Sequence, residues 1–103
     1  MSGNNEISME SSRRYRTSPN YILRRILGEA VLVPTGDTPF GNSMISVSET
    51  FCFLWELFGE PMTAADAVRR AREEYEDHTG EIEAHVLSFL QDCVNYGMIS
   101  EEE

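Results

Sequence analysis

The sequence predicts an α+β domain in which a three-stranded antiparallel sheet is followed by three helices. Two observations carry this expectation. Between Tyr21 and Val47 the apolar residues come in short β-rich runs separated by glycine- and proline-bearing turns, the pattern of paired strands. From Ser48 onward they recur at i, i+3, i+4 and i+7, the spacing that places them on one side of a helix. With 103 residues, 41% hydrophobic and 25% charged, the chain is sized for a single packed core rather than for two domains or for disorder.

Residues 1–19 hold few large apolar side chains beyond Ile7, Met9 and Tyr15, are rich in Ser, Asn and Arg, and close on Ser18-Pro19. They read as a flexible N-terminal tail, whose Arg13, Arg14 and Arg16 are available to an acidic partner or to the acidic body of the domain. The folded body spans residues 20–100. Its first two strands, Tyr21 to Leu27 and Ala30 to Val33, are joined through Gly28-Glu29, because glycine accepts the positive φ of a two-residue hairpin turn. A turn-rich loop over residues 34–43 then leads to a third strand, Met44 to Val47.

Ser48 is placed to cap the first helix, on which Phe51, Leu54, Trp55 and Phe58 form the apolar side before Gly59 and Pro61 end it. Thr63 caps the second, with Asp66 three residues on; Ala64, Ala67, Val68, Ala71 and Tyr75 face inward, and Arg69, Arg70, Arg72, Glu73 and Glu74 form a solvated side. The third helix follows Gly80 and runs to about Tyr96, with Ile82, Val86, Phe89, Leu90 and Cys93 on one stripe, Leu87 and Val94 widening it, and Gly97 as its left-handed stop. Residues 101–103, all Glu, read as an acidic C-terminal tail.

Charge and composition exclude several functions. Residues 1–25 carry five Arg against two Glu, for +3, whereas residues 26–103 carry three Arg against sixteen acids, for −13. A body of that sign opposes the phosphate neutralisation on which nucleic-acid affinity depends. No apolar stretch approaches the length of a membrane span, and the N-terminus lacks a secretory pattern, so a soluble, cytoplasmic protein is expected. Cys52 and Cys93 each sit among apolar neighbours without metal-ligand spacing and read as core residues; a disulfide would require their α-carbons within about 7 Å, which spacing along the chain does not decide. His78 and His85 read as surface residues, the glycines match no nucleotide-binding motif, and the absence of lysine removes Schiff-base and Walker-type chemistry. The expectation is a non-enzyme that binds, with neither cofactor nor metal.

The run Met44-Ile45-Ser46-Val47-Ser48-Glu49-Thr50 leading into Leu54-Trp55-Glu56-Leu57-Phe58 resembles the PqqD-like family, the small peptide-recognition domains of pathways that modify ribosomally synthesised peptides. Pro61-Met62-Thr63, Glu73-Glu74-Tyr75 and Tyr96-Gly97-Met98-Ile99 also fit the family pattern, and the resemblance covers about residues 20–100. The chain departs from it at Ser48, where Asn is usual, and at Phe51, where a small residue, often Gly, is usual.

The resemblance implies a winged helix-turn-helix that binds the leader segment of a precursor peptide and presents it to a modifying enzyme, often a radical SAM enzyme. Strand addition suits such a domain, since a three-stranded sheet leaves an edge of unpaired backbone groups. Carried onto this sequence, the peptide site falls on Met44, Ile45, Ser46 and Val47 and on Leu87, Leu90, Gln91 and Val94 of the third helix. Two other classes remain: a winged-helix nucleic-acid binder, which shares the fold but is disfavoured because the third helix has Glu81, Glu83 and Asp92 and no basic residue except His85, and a structural or regulatory interaction module.

Overall fold

The computed structural model describes residues 7–35, 43–77 and 79–102. Residues 1–6 of the expected tail, most of the turn-rich loop, His78 and Glu103 lie outside them. The architecture is α+β. In chain order it comprises β1 (Arg14–Thr17), β2 (Tyr21–Ile26), β3 (Glu29–Pro34), β4 (Ile45–Ser46), α1 (Glu49–Leu57), β5 (Met62–Thr63), α2 (Ala64–Glu74), α3 (Ile82–Asn95) and β6 (Ile99–Glu102).

Two antiparallel sheets form, each of three strands. One, ordered β2-β3-β4, is the sheet read from the sequence. Its hairpin turns one residue earlier than expected: Glu29 pairs with Ile26, leaving Leu27 (φ 53°) and Gly28 (φ 84°) as the two central residues. Positive φ at both positions matches the twist of the flanking strands, and the sheet gains the Ile26–Glu29 pair while Leu27 bears a conformation its side chain disfavours.

The second sheet, ordered β5-β1-β6, corrects the reading of residues 7–19 and 101–102 as tails. Arg14–Thr17 pairs on one side with Met62–Thr63 and on the other with Ile99–Glu102, so the N-terminal strand joins two strands that do not pair with each other. Tyr15 is 4% exposed and Ile7 8%, both within the core. The alternation in Arg14-Tyr15-Arg16-Thr17 is a half-buried strand's, apolar inward and charged outward, and Arg13–Glu101 and Arg16–Glu102 ion pairs run across to β6.

The helices follow their capping chemistry. Ser48 Oγ accepts the Phe51 amide and Thr63 Oγ1 accepts the Asp66 amide, each at 3.1 Å. At the end of α3 the Gly97 amide donates to the Val94 carbonyl and the Met98 amide to the Cys93 carbonyl, a left-handed glycine cap that delivers Met98 and Ile99 into the core. Ala64, Ala67, Val68 and Ala71 of α2 are buried against α3, and Trp55 and Phe58 of α1 are buried with them. Tyr75, expected on the inward stripe, is 38% exposed, because α2 ends at Glu74 and Tyr75 takes up an extended conformation. Its ring meets that of Phe53 edge-on, with centroids 5.4 Å apart.

Cys52 and Cys93 are buried and free, as core residues rather than a disulfide. Burial pushes both thiols up, Cys93 to about 12, so neither is a ready nucleophile near neutral pH. Among the described residues no helix is long and apolar enough to cross a membrane, and no cluster of His, Cys, Asp and Glu is disposed to hold a metal ion.

Candidate peptide-binding site

The strand β4 lies at the edge of its sheet, and the register decides which backbone groups are free. Ile45 is opposite Leu32 and Ser46 opposite Val31, while the Val47 amide donates to the Ala30 carbonyl at 3.0 Å. In an antiparallel pair, residues alternate between directing their amide and carbonyl at the partner strand and directing them away. Ile45 and Val47 therefore turn their backbone toward β3, and Met44 and Ser46 turn theirs outward. The side chains follow the pleat: Ile45 and Val47 are half-buried against the core, Ser46 is exposed, and Met44 is 60% exposed.

Immediately beyond β4, Ser48 to Leu54 of α1 and one flank of α3 enclose a cleft of about 360 Å³. The α3 side is formed by Ala84, His85, Ser88, Phe89 and Asp92, and the α1 side by Ser48, Thr50, Phe51 and Leu54. Phe51 sits at the centre. Its ring meets Phe89 edge-on with centroids 5.1 Å apart and stacks on Trp55 at 5.9 Å, so the bulky residue that departs from the family pattern becomes the apolar wall between the helices.

The residues expected on α3 divide between core and a different flank. Leu90 is fully buried and is a core residue. Leu87, Gln91 and Val94 lie on the side of the helix roughly opposite Phe89, three and four residues apart. There the chain's own N-terminal segment is seated: the Ile7 amide donates to Gln91 Oε1 at 3.2 Å, and Leu87 and Val94 are half-buried against the core. None of Met44 to Val47 lines the cleft, which they approach only through the adjoining Ser48, and Leu87, Gln91 and Val94 lie apart from it. His85, Ser88, Phe89 and Asp92 were missed as cleft residues. The available signal was angular: α3 must turn Phe89 toward α1 if Val86, Leu90 and Cys93 fill the core.

A bidentate ion pair ties the first sheet to the start of α1. Arg25 on β2 donates to both carboxylate oxygens of Glu49, at 2.6 and 2.8 Å. The hydrogen bond from Arg25 holds the Glu49 carboxyl below its ordinary range, and Arg25 is shifted upward in return. Ahead of α3, Asp77 accepts from Arg72 Nε at 3.1 Å and from the Ile82 amide at 3.3 Å, capping α3 from outside the helix. Partial burial pushes the Asp77 carboxyl up, but these hydrogen bonds outweigh it and hold it below its ordinary value.

Both carboxyls are depressed in the folded state. Their stabilisation is therefore complete above the unfolded values near 4.5 and 3.8 and is lost as pH falls through the lower folded values. The thermal midpoint should hold steady down to about pH 5 and decline below about pH 4. Glu49→Gln should have a smaller decline; an unchanged acid profile in that variant would remove Glu49 from the account.

Against this geometry the comparisons are direct. The family model for "Coenzyme PQQ synthesis protein D (PqqD)" matches residues 29–99, more than half of the sequence. The chain belongs to the PqqD family. The match takes in β3, β4, the three helices and the start of β6, whereas β1 and β2 precede it. Among solved structures, the fold of this PqqD-family chain is similar to that of TbiB1 in complex with the TbiA(beta) leader peptide, with a TM-score of 0.66. The sequences are 17% identical, and the superposition covers 85% of this chain and 98% of TbiB1. No curated protein matches the sequence.

Proposed function

We propose that this domain binds the leader segment of a ribosomally synthesised precursor peptide as an added strand on β4 and presents it to a modifying enzyme. The observation that carries the reading is the edge of β4, unpaired among the described residues and followed directly by Ser48 of the cleft between α1 and α3, in a chain of the PqqD family. TbiB1, which shares the fold, has been captured with a leader peptide. Main-chain pairing supplies affinity that tolerates sequence variation, and the cleft supplies the choice of side chains.

The helix face of the site consists of Phe51, Ser88 and Phe89, reached from Met44 and Ser46, rather than Leu87, Gln91 and Val94. The order α1-β5-α2-α3-β6 is that of a winged helix-turn-helix, with β5 and β6 joined through β1. A cytoplasmic location and a radical SAM enzyme as the partner fit a peptide-modifying pathway. Nucleic acid is the weaker reading, since Glu81 just before α3 and the exposed His85 and Asp92 on it bring no Arg.

Titration of the labelled protein with synthetic leader peptides of candidate precursors tests the proposal. Saturable binding with amide shifts concentrated at Met44 to Val47 and along the Phe89 flank of α3 is the expected result. Binding that instead shifts the Gln91 flank and leaves β4 silent would overturn the site.

A further inference from the structure

The cleft does not end at His85. Thr50, Leu54 and His85 also line a second, deeper pocket of about 180 Å³, set between α1, the end of α2 and the start of α3. Its floor is apolar: Leu54, Ala71 and Val86 are buried, and Ile82 is half-buried. A dry cavity of about 150 Å³ accommodates a benzene-sized group, so this one has room for a single large side chain. Ala71 makes the space, since any longer side chain at that position would project into it.

The mouth has the opposite character. Glu76, Asp77 and Glu81 line the pocket and Asp92 lines the adjoining cleft, while neither contains an Arg or Lys among its lining residues. Arg72 offsets part of this through Asp77, and His85 lies 3.9 Å from Glu81. The apolar floor and acidic mouth together select a ligand that is apolar at one position and cationic beside it.

We propose that this pocket is the specificity anchor of the bound peptide: it takes one large aliphatic or aromatic side chain of the leader, with an adjacent Arg or Lys lying against the acidic mouth. The inference rests on the leader-binding reading and extends it. A peptide paired with β4 and continuing past Val47 enters the cleft at Ser48 and reaches the pocket through Thr50 and His85. Fully desolvated anchors of this kind dominate recognition, while the strand pairing beside them is permissive.

A displayed library of random short peptides, selected against the full chain, tests it. Enriched sequences should pair Leu, Ile or Phe with Arg or Lys, and replacing that apolar residue by Ala should weaken binding about tenfold or more. Ala71→Leu, which fills the pocket, should cost a similar factor. Glu81→Lys should weaken peptides carrying the basic residue and spare the same peptides with Gln in its place. Should Ala71→Leu fail to fold, the methyl resonances of Leu54, Ile82 and Val86 in the wild-type protein report pocket entry directly. Peptides that bind the wild type without moving those methyls, and without preference for the apolar-basic pair, would overturn the anchor while leaving the leader reading intact. Failure of any peptide to enrich would overturn both.

Discussion

Deletion of residues 1–17 should abolish cooperative folding. In the β5-β1-β6 sheet Arg14–Thr17 bridges the two outer strands, so removing it leaves β5 and β6 without that partner. The deletion also removes Tyr15 and Ile7, both in the core, and the Ile7 contact with Gln91 of α3. Truncating one large buried aromatic residue costs about 3 to 5 kcal/mol, a large part of the about 5 to 15 kcal/mol that stabilises a domain of this size. Tyr15→Ala should show that first loss alone, as a lower denaturant midpoint with the fold retained, and the deletion should show a featureless thermal scan and loss of amide dispersion. A truncated protein that melts cooperatively near the wild-type midpoint would mean that the body from Tyr21 onward is self-sufficient.

Ser46→Pro should weaken leader binding at least about tenfold while preserving the fold. The Ser46 amide is directed away from β3, so the substitution removes none of the hydrogen bonds that hold β4 in its sheet, and proline is tolerated on an edge strand in that orientation. An incoming strand loses the donor it would pair with and meets the pyrrolidine ring where that donor stood. One hydrogen bond is worth about 0.5 to 1.5 kcal/mol net, and the steric block adds to it, so affinity should fall at least about tenfold. Val47→Pro provides the contrast. It removes the amide that donates to the Ala30 carbonyl and should cost stability before affinity. Calorimetric affinity measured beside circular dichroism on both variants separates the effects. A folded Ser46→Pro protein with unchanged affinity would move the peptide away from β4.

Local signals were sufficient for much of this architecture. Ser48, Thr63 and Gly97 act within one helical turn of their own positions, and each stands where its capping chemistry predicts. The β2-β3-β4 sheet is equally local, since its strands are consecutive and separated by turn residues. The N-terminal strand was not legible, because Arg14–Thr17 is four residues, half of them charged, whose partners lie about fifty and eighty-five positions away. Its two partners are no easier to read: β5 is two residues long, and half of β6 is acidic.

The candidate site divides in the same way. That a strand forms within Met44 to Val47, at Ile45–Ser46, and that α3 carries a broad apolar stripe, follow from residue type and period in the sequence alone. Which backbone groups of that strand are free, and which flank of α3 it faces, depend on register and helix rotation. Those are settled by packing among residues distant in the chain: Val47 bonds to Ala30, Phe89 meets Phe51, and Ile7 occupies the side at Gln91. Composition and periodicity determine the β2-β3-β4 strands and the three helices, and the −13 of residues 26–103 opposes a nucleic-acid surface. Only the tertiary structure decides where the binding edge opens, because a one-residue slip in register or a half-turn of a helix exchanges the inward and outward faces without altering either pattern.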